Sequence, residues 1–163
     1  EVFAKFKEGV AAQISVDDSQ AHYDLGVAYK EMMLVDDAIR EFETAARDPN
    51  RECISFSMIG MIHLERGHHD DAIAAFTRAL DAQQKDPEQK TALSYELGGV
   101  YEGIHMRREA LAAYQRASTI NPNYRDVAQK IRLLSKGESK APQKSADDEF
   151  DKAFDDLLSG GKS

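Results

Sequence analysis

The sequence predicts an all-α fold, a solenoid of three helix-turn-helix repeats with an extra N-terminal helix and a C-terminal capping helix. Three observations carry that expectation. The set Leu25, Gly26, Tyr29, Ala38, Phe42, Ala45 recurs as Ile59, Gly60, His63, Ala72, Phe76, Ala79, and again as Leu97, Gly98, Tyr101, Ala110, Tyr114, Ala117. The copies lie 34 residues apart from Gly26 to Gly60 and 38 from Gly60 to Gly98, close to the period of helical-hairpin repeats. On both flanks of the copies, apolar residues keep helical spacing.

The elements follow in order. Val2, Phe3, Phe6, Val10 and Ile14 mark a helix within residues 1–16, ahead of a break at Asp17, Asp18 and Ser19, with Ser19 as the expected N-cap of the next helix. This first helix either caps the array or forms the second half of a repeat begun upstream. Glu1, standing where an initiator Met would, leads to the same expectation of a longer chain. Repeats are expected over 19–50, 53–86 and 88–122. In each, a Gly on the first helix admits a neighbouring helix, two Ala on the second helix do the same on its two sides, and the Phe or Tyr between them fills the space. One hairpin cannot bury such a face alone, so the copies must stack.

A left-handed residue is wanted after each first helix. Gly67 supplies it in the second copy, whereas Met33 and His105 stand there in the others, at up to about 1 kcal/mol each. The second repeat lacks its closing Pro and carries four extra residues around 83–87, so its second helix is expected to be about one turn longer. Val127, Ile131 and Leu134 mark the capping helix over 123–136. Residues 137–146 read as a flexible linker and 147–163 as an acidic amphipathic tail.

This pattern, closed in the third copy by Asn121 and Pro122, resembles the tetratricopeptide repeat (TPR) family. The resemblance implies a TPR α-solenoid with a groove lined by one face of the first helices, and a non-catalytic role in holding another protein. It places the groove at Tyr23, Val27, Lys30 and Glu31, at Ser57, Met61, Leu64 and Glu65, and at Tyr95, Gly99 and Glu102. The Lys and Asn with which some TPR modules clamp a C-terminal carboxylate are missing. An apolar, aromatic groove with an acidic edge suits a peptide, helix or folded partner bearing apolar anchors and basic residues. The opening EVFAKFKEGVAAQI, with LGVAYKEM and DDAIREFE further on, is similar to TPR modules of bacterial type IV pilus and gliding-polarity proteins. That likeness implies an adaptor for a small Ras-like GTPase in cell polarity or motility. A self-associating structural spacer and a regulatory segment of a larger enzyme are the alternatives.

Composition narrows the function classes. With 163 residues, 42% of them hydrophobic and 31% charged, the chain can build a core and stay solvated. Cys53 is the only cysteine, so no intramolecular disulfide forms and a reducing, cytoplasmic setting is expected. No apolar run approaches the roughly 20 residues of a membrane span. A net charge of −8 opposes nucleic-acid binding, which needs a dense positive surface. The charge is uneven: Arg125, Lys130, Arg132, Lys136, Lys140 and Lys144 make a basic stretch, and residues 147–156 reverse the sign.

No nucleophile, base and acid stand together in recognisable form, and no cofactor motif is present. Gly161, Lys162 and Ser163 echo a phosphate loop, but Asp156 occupies the place of its first Gly. Cys53 opens a helix, where thiolate character can be favoured, yet a small core residue is the plainer reading. His63, His68 and His69 with Asp70 and Asp71 raise the question of a metal. None is expected, because His63 holds an aromatic core position and adjacent His residues on a turn point apart. In the tail, Phe150, Phe154, Leu157 and Leu158 form one apolar stripe on an acidic segment, which reads as a docking peptide for a partner, a lid over the chain's own groove, or a disordered solubilising tail.

Overall fold

The computed structural model describes residues 2–15 and 17–137. Eight helices follow one another among them, with no strand: α1 (Val2–Ala11), α2 (Ser19–Glu31), α3 (Val35–Ala45), α4 (Pro49–Glu65), α5 (His69–Asp81), α6 (Pro87–Gly103), α7 (Arg107–Ile120) and α8 (Val127–Lys136). The helices pair as α2 with α3, α4 with α5 and α6 with α7, and the pairs stack through α3–α4, α5–α6 and α7–α8. Consecutive first helices also touch, α2 with α4 and α4 with α6, whereas α3 with α5 and α5 with α7 make no comparable contact. The first helices therefore crowd together on the inner face of the solenoid, and the second helices splay on the outer one.

The recurring residues do what their sizes require. A Cβ added to Gly26, Gly60 or Gly98 would meet the ring of Phe42, Phe76 or Tyr114 at 2.8, 2.6 or 2.7 Å, so each first helix lies directly on the aromatic of its own second helix. Ala38, Ala45, Ala72, Ala79, Ala110 and Ala117 are wholly buried beside these rings. The turns repeat as well. Met33, Gly67 and His105 all take the left-handed backbone, at φ 62°, 73° and 63°, as the sequence requires.

Four details depart from the sequence expectation. The N-cap of α2 is Asp18, whose carboxylate accepts from the Ala21 amide, while Ser19 turns to donate to the Asp48 carboxylate at 2.6 Å. Asp48 itself caps α4, which opens at Pro49, ahead of the expected repeat start at 53. The four extra residues of the second repeat are shared: α5 has 13 residues against 11 in α3, and the connection lengthens from 46–48 to 82–86. Asp86 and Pro87 then repeat the cap and first-turn Pro of Asp48 and Pro49, so the Pro is displaced and not lost. The extra residues cannot all join α5, because Ala82 leaves the helix with ψ 138° and the Asp86 capping box fixes where α6 begins.

At the N-terminal end, α1 buries none of its residues completely. Lys7 reaches Asp37 at 3.2 Å and Val10 and Ile14 turn towards the first repeat, but Val2, Phe3 and Phe6 face solvent. At the other end α8 packs closely, burying Val127 against Ala110, Tyr114 and Ala117 with Ile131 and Leu134 alongside. No helix among the described residues is long and apolar enough to cross a membrane.

Candidate protein-binding groove

Tyr23, Ser57 and Tyr95 occupy the same position on the three first helices. In the outer repeats the tyrosine lies edge-on to the aromatic of the second helix, Tyr23 to Phe42 and Tyr95 to Tyr114, each with ring centres 5.4 Å apart. The middle repeat has a hydroxyl instead of a ring. Ser57 Oγ donates back to the Cys53 carbonyl at 2.7 Å, leaving the space over Phe76 unfilled. A cavity of about 260 Å³ opens there. Ile54 and Met61 of α4 form one wall, Ala92 and Leu93 of α6 the other, and Phe76 the floor. Its polar lining is confined to Ser57, Gln89 and Glu96.

The expected groove residues separate into three groups. Ser57 and Met61 line the cavity. Val27 and Leu64, like Tyr23, are half-buried and pack on the core, while Glu31 and Gly99 stand exposed. The remainder are already engaged by the chain itself. Tyr95 is edge-on to Tyr124 as well as Tyr114, and its hydroxyl donates to Asp126. Glu102 accepts from the Tyr114 hydroxyl at 2.8 Å and pairs with Lys130 at 2.9 Å. In the third repeat α8 and the turn before it thus occupy much of the face that the second repeat leaves open.

The acidic edge is also internally compensated. Lys30 pairs with Glu65 at 3.1 Å, Arg125 with Glu96 at 3.2 Å and Lys130 with Glu102, so each pair ties one repeat to the next element along the inner face. Each of these ion pairs is partly exposed to solvent, and surface pairs are worth about 0–1 kcal/mol each, weak enough to exchange. Burial raises the Glu102 carboxyl, but the hydrogen bonds from Lys130 and Tyr114 outweigh it and hold the group below its ordinary value. The hydrogen bond to Asp126, then burial, push the Tyr95 hydroxyl up to about 12. Cys53 lies buried in the core, and that burial pushes its thiol up.

Sequence reasoning missed Ile54, Gln89, Ala92, Leu93 and Glu96. Ile54 and Ala92 lie about one helical turn before Ser57 and Tyr95 on the same helix faces. The signal was present in Ser57, where the small polar residue breaks an aromatic register. Phe150, Phe154, Leu157 and Leu158 lie outside the described residues.

A stack of helical hairpins with a ring-deficient gap on its inner face defines a TPR-type solenoid. Residues 55–86 match the tetratricopeptide repeat family model. No curated protein matches the sequence. The fold is similar to the crystal structure of MamA, with a TM-score of 0.65 at 22% identity over 82% of this chain and 75% of that one. A MamA structure designated AMB-1 gives 0.60 at 20% identity over 90% and 75%. The crystal structure of the APC/C hetero-tetramer Cut9-Hcn1 gives 0.57 at 18% identity, over 72% of this chain but 23% of that chain. The chain has the all-α TPR fold, an architecture generally used for non-catalytic protein interaction.

Proposed function

We propose that this chain is a protein-interaction module that seats one large apolar side chain of its partner in the cavity between α4 and α6. The observation that carries the reading is Ser57, which leaves Phe76 without the covering ring that Tyr23 and Tyr95 provide in the sister repeats. A cavity of about 260 Å³ with apolar walls accepts a Leu, Met or Phe anchor, and buried anchors of that kind dominate binding energy at protein interfaces. Glu31, exposed at the end of α2, and the exchangeable pairs at Glu65 and Glu96 supply polar contacts for basic residues around that anchor.

A small Ras-like GTPase in polarity or pilus motility is the particular partner implied by the N-terminal likeness, and we carry it as one arm of the test. The tail with Phe150, Phe154, Leu157 and Leu158 is a proposed competitor for the same cavity, on its apolar spacing alone. Met61→Glu and Ile54→Glu place a charge in the cavity wall without touching the Tyr95 network. Partners recovered with the intact chain, and a purified polarity GTPase in both nucleotide states, are expected to lose affinity for both variants. Equal binding by folded variants sinks the groove reading. Binding of other proteins but not the GTPase sinks only the polarity role. Deleting 147–163 is expected to raise affinity, and an unchanged value removes the competitor.

A further inference from the structure

We propose that His63, His68 and Asp71 form a site for one divalent transition-metal ion of the zinc class, on the turn edge of the middle repeat. One ligand atom from each of the three lies within 4.8 Å of the other two. The sequence expectation was that neighbouring His residues diverge, and His69 does stand outside the group. His63 and His68 converge because the chain reverses between them. His63 is in the last turn of α4, Gly67 turns the backbone at φ 73°, and His68 caps α5. The His68 amide donates to the His63 carbonyl at 2.9 Å, the imidazole centres lie 6.0 Å apart, and Asp71 follows in the first turn of α5.

The sister repeats act as an internal control. Their turns close through the same bond, Leu34 amide to Tyr29 carbonyl and Met106 amide to Tyr101 carbonyl, both 2.9 Å. The residues so joined are Tyr29 with Leu34 and Tyr101 with Met106, neither pair offering an imidazole or thiolate, while an acid stands at the third position in every repeat, Asp37, Asp71 and Glu109. In the middle repeat alone both members of the facing pair are imidazoles. A histidine that merely fills the core position needs one of those changes, and a chelating pair needs both.

A second observation is independent of the pairing. His63 Nδ1 is buried and has no hydrogen-bond partner, a costly state that coordination through this nitrogen would relieve. His68 and Asp71 are exposed, and Asp71 has no ion pair among the described residues, so both can rotate inward. A tetrahedral zinc site with bonds of about 2.0–2.1 Å needs ligand atoms roughly 3.3 Å apart, a closure that side-chain rotation supplies. Two imidazoles and a carboxylate are a zinc-type donor set with an open position, and are too few and too nitrogen-rich for calcium or magnesium. The positive end of α5 opposes a cation there. Asp70 and Asp71 in its first turn, and the adjacent negative end of α4, offset that field. The site faces an open cavity lined by His68, His69, Asp71 and, from the next turn, Ile104, which leaves room for water or a partner's ligand.

The test uses tag-free, chelator-treated full chain titrated with zinc by calorimetry, with cobalt for visible absorption and magnesium as control. One equivalent of zinc is expected to bind, magnesium none, and saturating zinc to raise the thermal midpoint by several degrees. His63→Tyr combined with His68→Leu installs the pair that the first repeat uses in the same turn, and is expected to fold and lose at least a hundredfold in zinc affinity. Asp71→Asn is expected to lose roughly tenfold or more. If the double variant misfolds, His68→Leu at its exposed position carries the same expectation. Zinc binding unchanged in these variants, meaning an adventitious ion only, or no saturable binding by the unaltered chain, overturns the proposal.

Discussion

Ser57→Tyr separates the binding role of the inner face from its structural role, because the two respond with opposite sign. The sister repeats show where the new ring goes, edge-on to Phe76 as Tyr23 is to Phe42 at 5.4 Å and 60°. Covering the cavity buries on the order of 100 Å² of further apolar surface, about 2.5 kcal/mol at 25 cal/mol/Å². The aromatic pair adds about 1 kcal/mol, and fixing the side chain costs about 1–1.5 kcal/mol. The net gain is about 2 kcal/mol, or roughly 8 °C in thermal midpoint for an array of this size. A partner that seats an apolar anchor in the same space loses it, and one buried anchor is worth about 2–3 kcal/mol, roughly a 30- to 150-fold weakening. Calorimetric melting and a binding titration on the same preparation read both. A lower midpoint would refute the packing argument. A higher midpoint with unchanged affinity would refute the cavity as the anchor site.

Other perturbations follow from the same geometry. Gly60→Ala places a Cβ 2.6 Å from the Phe76 ring and is expected to cost about 2–3 kcal/mol in urea unfolding, whereas Gly9→Ala, with nothing within 4 Å, is expected to be neutral or slightly stabilising. Met33→Gly and His105→Gly relieve left-handed strain at φ 62° and 63° and are each expected to stabilise by about 0.5–1 kcal/mol, additively because they sit in different repeats. The Glu102 carboxyl is depressed in the folded chain, so its contribution is present above its unfolded value of 4.5 and lost as pH falls below it. Glu102→Gln is expected to flatten that part of an acid titration followed by circular dichroism. The Tyr95 hydroxyl, raised from 10.0 to about 12, contributes below pH 10 and loses its contribution as pH climbs through 12. Tyr95→Phe is expected to remove that alkaline loss from the same measurement.

The fold was legible because its determinants are local and repeated. Gly60 against Phe76, and Met33 in the place of Gly67, are one-position rules that the spacing exposes three times over. What was not legible depends on distance across repeats. Nothing in the residues around Tyr95 or Glu102 announces that Asp126 and Lys130 will reach them, since those contacts are set by how α8 docks on α7. The extra turn predicted for α5 failed for a related reason, because the Asp86 capping box downstream competes for the same residues. Helical periodicity counts the residues available to a helix, and caps decide which of them it keeps. The cavity was half legible: Ser57 and Met61 were read as groove, but its depth depends on Ala92 and Leu93 from the neighbouring hairpin.

Three departures from the repeat pattern fall together where the array tolerates them well. Ser57, His63 and His68 each replace a larger apolar or aromatic residue found in the outer repeats, and all three lie in the middle hairpin. In a solenoid the stability of a unit is its own term plus one interface term per neighbour, so a unit held on both sides tolerates a weaker interior than a terminal one. The α4–α5 hairpin is packed by α3 on one side and α6 on the other, as the third repeat is by α5 and α8, whereas the first repeat has only the loosely held α1 beyond it. An apolar cavity on the inner face and a histidine pair on the turn edge each remove packing from the unit that hosts them. Their joint placement in a doubly supported repeat fits the proposed roles, since such a unit best absorbs the lost packing. It also orders the outcomes of mutation: filling the cavity with Ser57→Tyr, or restoring Tyr and Leu at His63 and His68, makes the middle repeat more like its neighbours and is expected to stabilise it. Loss of stability on both substitutions would show that the middle repeat is optimised as it stands, and that its irregularities are packing solutions and not sites.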